Sequence, residues 1–315
     1  MFAGQRVIGC NASKLTFAAQ MHLSALNACH FLYDSVGLCR GHPNIPGLNR
    51  PFATWMHGLE VYEDMRDDYQ KVLNRAGLVL VNSAYTRDRH QALHGPLVRA
   101  EVCWLATEQD DPPDISANFD APPSVLIVGR IAAAEGRKGH GELIDCWPDV
   151  VAAVPDAKLK IAGSGSGIDE LRIKLRGSGL DQSVELLGFI AEEQMSALFA
   201  KAHVYAMPSR QEGFGIAYIE AMRFGLPVIA SVHDAGQEVN VNGKTGYNVD
   251  LSDRSELTGR LIELLRNPEQ SRVMGQHGFQ RWQTNFRYSC FAERFIGIWQ
   301  NFVVGADPHP RTNSV

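Results

Sequence analysis

The sequence predicts an α/β protein made of two parallel-sheet blocks, and three observations carry that prediction. Short apolar runs ending in Gly, Pro or Ser recur through the second half, and segments of helical length separate them. A Pro- and Asp-rich stretch, "EQDDPPDISANFDAPP" from Glu108 to Pro123, divides the chain and reads as an interdomain linker. Strands alternating with helices form parallel βαβ units with right-handed crossovers, and such sheets hold ligands at the carboxyl ends of their strands. A length of 315 residues also suits two domains of roughly 150 residues each.

The first block, residues 1–115, is the thinner. "KLTFAAQMHLSALNA" reads as a helix, "FATWMHG" and "LVLVNS" as strands, and Val98 to Leu105 alternates. That is fewer strands than a complete doubly wound domain holds, so this block is expected to be shortened or incomplete.

The second block, residues 116–288, opens on "SVLIVGR", an apolar run of the kind buried parallel strands show. A helix over Gly141 to Val154 follows, then "KLKIAGSG" as strand and glycine turn, with Gly163 at the turn. Next come a helix over Asp169 to Leu175, strand "SVELLG", helix "AEEQMSALFAKA", strand "VYAMPS", a helix after Gly215, and strand "PVIAS". The remaining segment, 289–315, carries apolar residues at helical spacing from Ser289 to Val304 and then a frayed tail.

Composition narrows the function. A formal net charge of −5 and a pI of about 6.1 argue against nucleic-acid binding, which calls for a basic surface. The six cysteines form no C-x-x-C pair, which suits reduced thiols in a cytoplasmic protein. No apolar run approaches the roughly 20 residues needed to span a bilayer; a peripheral membrane contact stays compatible with that. The chain contains no Asp-x-Asp, so a carboxylate-held divalent metal has no evident site. Neither a metal nor another cofactor is expected. "GSGSG" lacks G-x-G-x-x-G spacing, so a dinucleotide fingerprint is unsupported.

The most informative stretch is "PSRQEGFGIAYIEAMRFGLPV", Pro208 to Val228. A helix starting near Gly215 places Ile216 and Glu220 on one face at i and i+4, and Gly225 with Pro227 ends it. Glu212 then lies in the loop before the helix. The amides of Gly213, Phe214 and Gly215 can bind an anion, aided by the positive end of the helix dipole. Glycine permits the close backbone approach this needs.

A phosphate there lies about five residues, roughly 7 Å of rise, from Glu220, which suits a ribose linked through a diphosphate. Glu212 would face whatever the second phosphate carries. The plain alternative is that Glu212 caps the helix and Glu220 decorates its surface. Spacing alone leaves the two readings level.

Two further features bear on this. A departing diphosphate needs positive charge. "VGRIAAAEGRKGHGEL" supplies Arg130 at a strand end and Lys138 at a helix start, with Arg137 as a competing cation. In "WMHGLEVYE", His57 follows an apolar strand, where it could face a ligand or sit satisfied in the core.

Together these residues resemble glycosyltransferase family 4. The resemblance rests on the E-x7-E element at Glu212 and Glu220, "PSRQEGFG", "VGR…RKGH", "ELLGFI" and "GQEVNVNGKTGYNV". It spans nearly all of Ser124 to Trp299 and, more weakly, Phe52 to Leu105.

It implies the GT-B fold, two Rossmann-like domains facing a cleft, with the last helix packing across both. It also implies a retaining enzyme that moves a hexose from a GDP- or UDP-linked sugar to a glycan or lipid-linked acceptor. "MHGLEVYE" and "HDAGQEVNVNGKTGYNV" resemble bacterial exopolysaccharide mannosyltransferases that use GDP-mannose.

By the same resemblance, Arg130 and Lys138 neutralise the diphosphate and Glu220 holds the ribose. Glu212 meets the donor sugar's hydroxyls, Phe189 lies where the backbone lines the base pocket, and His57 lies near the sugar. One departure stands out, because the family normally opens with a strand and a glycine-rich loop, whereas this chain begins "MFAGQRVIGCNASKLTF". The competing expectation is therefore a nucleotide-sugar-binding protein impaired in transfer.

Overall fold

The computed structural model describes residues 29–44, 49–58, 61–62, 67–113, 122–132 and 138–306. The chain divides into two compact units. One comprises Met1–Asn82, Thr86–Cys103 and Arg294–Val315, and the other Ser83–Tyr85 and Trp104–Glu293. The helix read over Lys14 to Ala28, and Arg137, lie outside the described residues.

Among the described residues, the first unit holds four parallel strands in sequence order: β1 (Phe31–Tyr33), β2 (Phe52–Met56), β3 (Leu78–Val81) and β4 (Ala100–Val102). Every residue of β2 and β3 is buried, the mark of parallel strands covered on both faces. Short helices α1 (Val36–Cys39) and α2 (Asp67–Leu73) and the longer α3 (Ala84–His94) connect them. Strand β1 was not read from the sequence; three residues are too few to show a period.

In the second unit the described strands form one six-stranded parallel sheet of order β10-β9-β8-β5-β6-β7. These are β5 (Ser124–Val128), β6 (Lys158–Ala162), β7 (Val184–Gly188), β8 (Val204–Ala206), β9 (Val228–Ser231) and β10 (Gly246–Val249). The order runs outward in one direction from β5 to β7 and in the other from β8 to β10. It therefore reverses between β5 and β8, the point at whose carboxyl edge open parallel sheets hold their ligands.

The connecting helices are α4 (His140–Ala153), α5 (Ile168–Leu175), α6 (Glu192–Ala200), α7 (Ile216–Arg223) and α8 (Gly236–Val239). After β10 come α9 (Arg254–Arg266), α10 (Pro268–Asn285) and α11 (Tyr288–Ala306). One continuous core of fully buried side chains, among them Trp147, Tyr205, Tyr218 and Trp282, fills this unit.

The division between the units falls at Cys103/Trp104, ahead of the stretch read as a linker. The start of that stretch is fastened to the second unit. Trp282 Nε1 donates to Thr107 Oγ1 at 2.9 Å, the Asp110 carboxylate accepts from Ser289 N at 2.9 Å, and Arg223 donates twice to the Asp111 carbonyl. Helix α11 is itself shared, Tyr288–Glu293 counting with the second unit and the remainder with the first.

Candidate active site

The site is built by three loops at the β5/β8 reversal. Gly163, after β6, has φ +149, and a Cβ there would lie 1.9 Å from the Gly129 carbonyl oxygen. No residue other than glycine lets the β5 and β6 loops approach so closely. Gly139, with φ +88, caps α4, and a Cβ on it would come within 2.5 Å of the Pro208 carbonyl. That contact sets the start of α4 against the loop after β8. It explains how Lys138 reaches Glu212, 74 residues further along the chain.

Lys138 Nζ donates to Glu212 Oε1. The Lys138 stem passes over Gly129 and its side chain is 31% exposed, while that of Glu212 is 11% exposed. Burial lowers the Lys138 ammonium to about 8, Asp234 opposes that fall, and the Arg130 charge adds to it. Arg130 itself is exposed at the end of β5. Lys138, Glu212 and Arg130 thus share one place.

Helix α7 begins as expected. Gly215 caps it at φ +93, where a Cβ would strike the Tyr218 ring at 2.2 Å. Tyr218 donates its hydroxyl to the Met207 carbonyl at 2.5 Å, tying the first turn of α7 to the end of β8. The Ser83 hydroxyl holds the Gly213 carbonyl at 2.8 Å. Phe214 turns its ring into the core against Phe286, so it offers a ligand only backbone groups. Ile216 is 45% exposed at the head of the helix.

Glu220 is half-buried, one turn on from Ile216. Burial raises its carboxyl, as does Glu192, while Arg223 opposes the rise. Its charge is felt at Tyr205, whose hydroxyl donates to the Val128 carbonyl at the end of β5. Glu220 therefore stands beside the reversal rather than on a remote helix face. Phe189, 79% exposed, follows Gly188, whose carbonyl accepts from Gly163 N at 2.8 Å. That places it at the same carboxyl edge of the sheet.

Asp234 was not singled out from the sequence. It is fully buried, and its carboxylate accepts from Glu212 N and Gly236 N, each at 2.9 Å. Burial pushes it up to about 7, against hydrogen bonds from Gly236 and Ser209 and the Lys138 charge. The clue lay in "HDAGQEV", an acidic residue just past the apolar strand "PVIAS", but only its neighbour in space, Glu212, gives it a role. His140 Nε2 is also buried there without a hydrogen-bond partner.

His57 belongs to the first unit. It follows β2, stacks on Trp55 at 5.9 Å, and its Nε2 donates to the Asp34 carbonyl at 2.6 Å. No group of three or more His, Cys, Asp or Glu able to hold a metal occurs among the described residues. No helix among them is long and apolar enough to cross a membrane.

Residues 109–281, more than half of the chain, match the family described as glycosyl transferases group 1. The chain belongs to the glycosyl transferases group 1 family. This glycosyltransferase is 31% identical, over 76% of its length and 69% of the relative's, to a GDP-mannose-dependent α-(1-6)-phosphatidylinositol monomannoside mannosyltransferase of Mycolicibacterium smegmatis.

It is 36% identical to a GDP-mannose-dependent monoacylated α-(1-6)-phosphatidylinositol monomannoside mannosyltransferase of Corynebacterium glutamicum, over 58% of its own chain and only 48% of that one. Among solved structures, Anabaena Alr3699/HepE in complex with UDP and glucose matches 90% of this chain and 81% of that one. The TM-score is 0.77 at 19% identity. The glycosyltransferase thus has the GT-B fold that its sequence led us to expect.

Proposed function

We propose that the protein transfers a hexosyl group, with retention, from a nucleoside diphosphate sugar to a hydroxyl of a glycan or lipid-linked acceptor. The observation that carries this is the Lys138–Glu212–Asp234 cluster at the β5/β8 reversal, with Arg130 beside it. The names of the relatives favour GDP-mannose as donor. They also favour transfer over a protein that only binds the donor.

In this reading, Lys138, Arg130 and the amides at the head of α7 receive the diphosphate and stabilise it as it departs. The arriving phosphate takes over the Lys138 ammonium, which releases the Glu212 carboxylate for the sugar's hydroxyls. Glu220 receives the ribose. A departing phosphate oxygen accepts the acceptor's proton on the same face, so no protein base is required. For His57 the proposal is contact with the transferred sugar.

The test is a screen of radiolabelled GDP- and UDP-sugars against purified protein and a broad acceptor panel. Transfer from GDP-mannose is expected to be fastest. Donor binding with neither transfer nor hydrolysis would overturn the reading.

A further inference from the structure

Three arginines converge at the amino-terminal edge of the first unit's sheet. Parallel pairing sets Ala53 opposite Leu78, and Val79 opposite Ala100. Arg50 and Arg75 each lie three residues before a member of the first pair, and Arg99 lies one before Ala100. All three therefore leave the same edge of adjacent strands, which are spaced about 4.8 Å apart. With Asn49, Asn301 and Phe302 they line one cavity of about 520 Å³, the size of a small-molecule site.

The cavity has a consistent chemistry. Among the described residues that line it, none is acidic, although the chain as a whole carries a net charge of −5. Three guanidinium groups and two carboxamides fill it with N–H donors, and only the carboxamide oxygens accept. One wall is built in: Phe302 sits so close to Gly77 that a Cβ there would lie 2.5 Å from its ring. Arg99 Nη1 donates to the Ala76 carbonyl at 3.3 Å, which holds that guanidinium at the cavity's edge.

Three arginines around one mouth, with no acidic side chain among the described lining, suit a multiply charged anion with paired oxygens. Arginine matches the oxygens of a phosphate in bidentate fashion. We infer that this cavity is a binding site for a phosphate-bearing anion. It uses residues of the first unit alone and none of the donor-site residues.

Isothermal titration with inorganic phosphate tests this on the full chain, comparing wild type, Lys138→Ala and the Arg75→Gln/Arg99→Gln double variant. Glutamine keeps length and donors while removing charge. Wild type and Lys138→Ala should bind phosphate alike, and the double variant should bind at least about tenfold more weakly. Where wild type binds phosphate, loss of all binding in Lys138→Ala, or a double variant within about twofold of wild type, would overturn the site. If the double variant does not fold, each single glutamine variant should still weaken binding measurably.

The source of the phosphate is separated by flotation with phosphatidylcholine vesicles, with and without phosphatidic acid. Arginine-dependent capture by the acidic vesicles alone, with no response to inorganic phosphate, assigns the site to a lipid headgroup. Binding of inorganic phosphate without vesicle capture assigns it to a soluble phosphate. Failure of both refutes the site.

Discussion

The ammonium of Lys138 rests on the carboxylate of Glu212, an ion pair closed by two loops that meet because Gly139 lacks a side chain. The pair is mostly out of water, so deleting one partner strands a charge. A fully buried pair would lose about 3–5 kcal/mol on such a deletion. Because 31% of the Lys138 side chain is exposed, solvent screening reduces the expected loss to about 1–3 kcal/mol. Lys138→Ala should show this in urea unfolding and should lose about 100- to 1000-fold in turnover. Adding Glu212→Ala should restore part of the stability and none of the activity. Near-normal turnover in Lys138→Ala would remove the lysine from the chemistry.

Burial, with help from Arg130, holds the Lys138 ammonium at about 8 instead of its ordinary 10.5. Below about 8 the lysine is charged and can serve the diphosphate; above it, the charge is lost. Donor kcat/KM should therefore fall as pH rises through about 8. Replacing Arg130 by alanine removes a repelling charge, so the remaining activity should hold to higher pH. A limb that stays in place, or moves to lower pH, would contradict the assignment.

Asp234 shifts the other way, from an ordinary 3.8 to about 7. A carboxyl raised in the folded state binds protons more readily there than in the unfolded chain. Its contribution to stability is complete below the unfolded value and is lost as pH climbs toward the folded one. Thermal unfolding should thus show Tm falling between about pH 4 and 7, and Asp234→Asn should flatten that slope. An unchanged slope would mean that Asp234 does not titrate in this window.

Gly163→Ala tests the loop contact. The new methyl would meet the Gly129 carbonyl at 1.9 Å on a backbone with φ +149. A loss of about 1–3 kcal/mol is expected from the strained backbone, with weaker donor binding as the β5 loop carrying Arg130 shifts. Wild-type stability and affinity together would show that the loops have room to spare.

Much of this was legible in the sequence. "SVLIVGR", "KLKIAGSG" and "SVELLG" gave β5, β6 and β7, because each is a short run built on apolar residues and closed by glycine. The spacing of Glu212, Gly215 and Glu220 gave the loop and the start of α7, with Ile216 and Glu220 on one face. The pairing of Lys138 with Glu212 was not legible, nor was the grip of Asp234 on the Glu212 amide. Both depend on loops from separate strands meeting where the sheet order reverses. Strand β1 was too short to register, and the arginines at positions 50, 75 and 99 come together only through the register of three strands.

A cocrystal structure with GDP or UDP tests the central claim most directly. The account predicts the diphosphate against the head of α7, within hydrogen-bond reach of Lys138 and Arg130, with the ribose on Glu220 and the Lys138–Glu212 pair opened. A nucleotide bound elsewhere, or a diphosphate that leaves that pair closed, would contradict it.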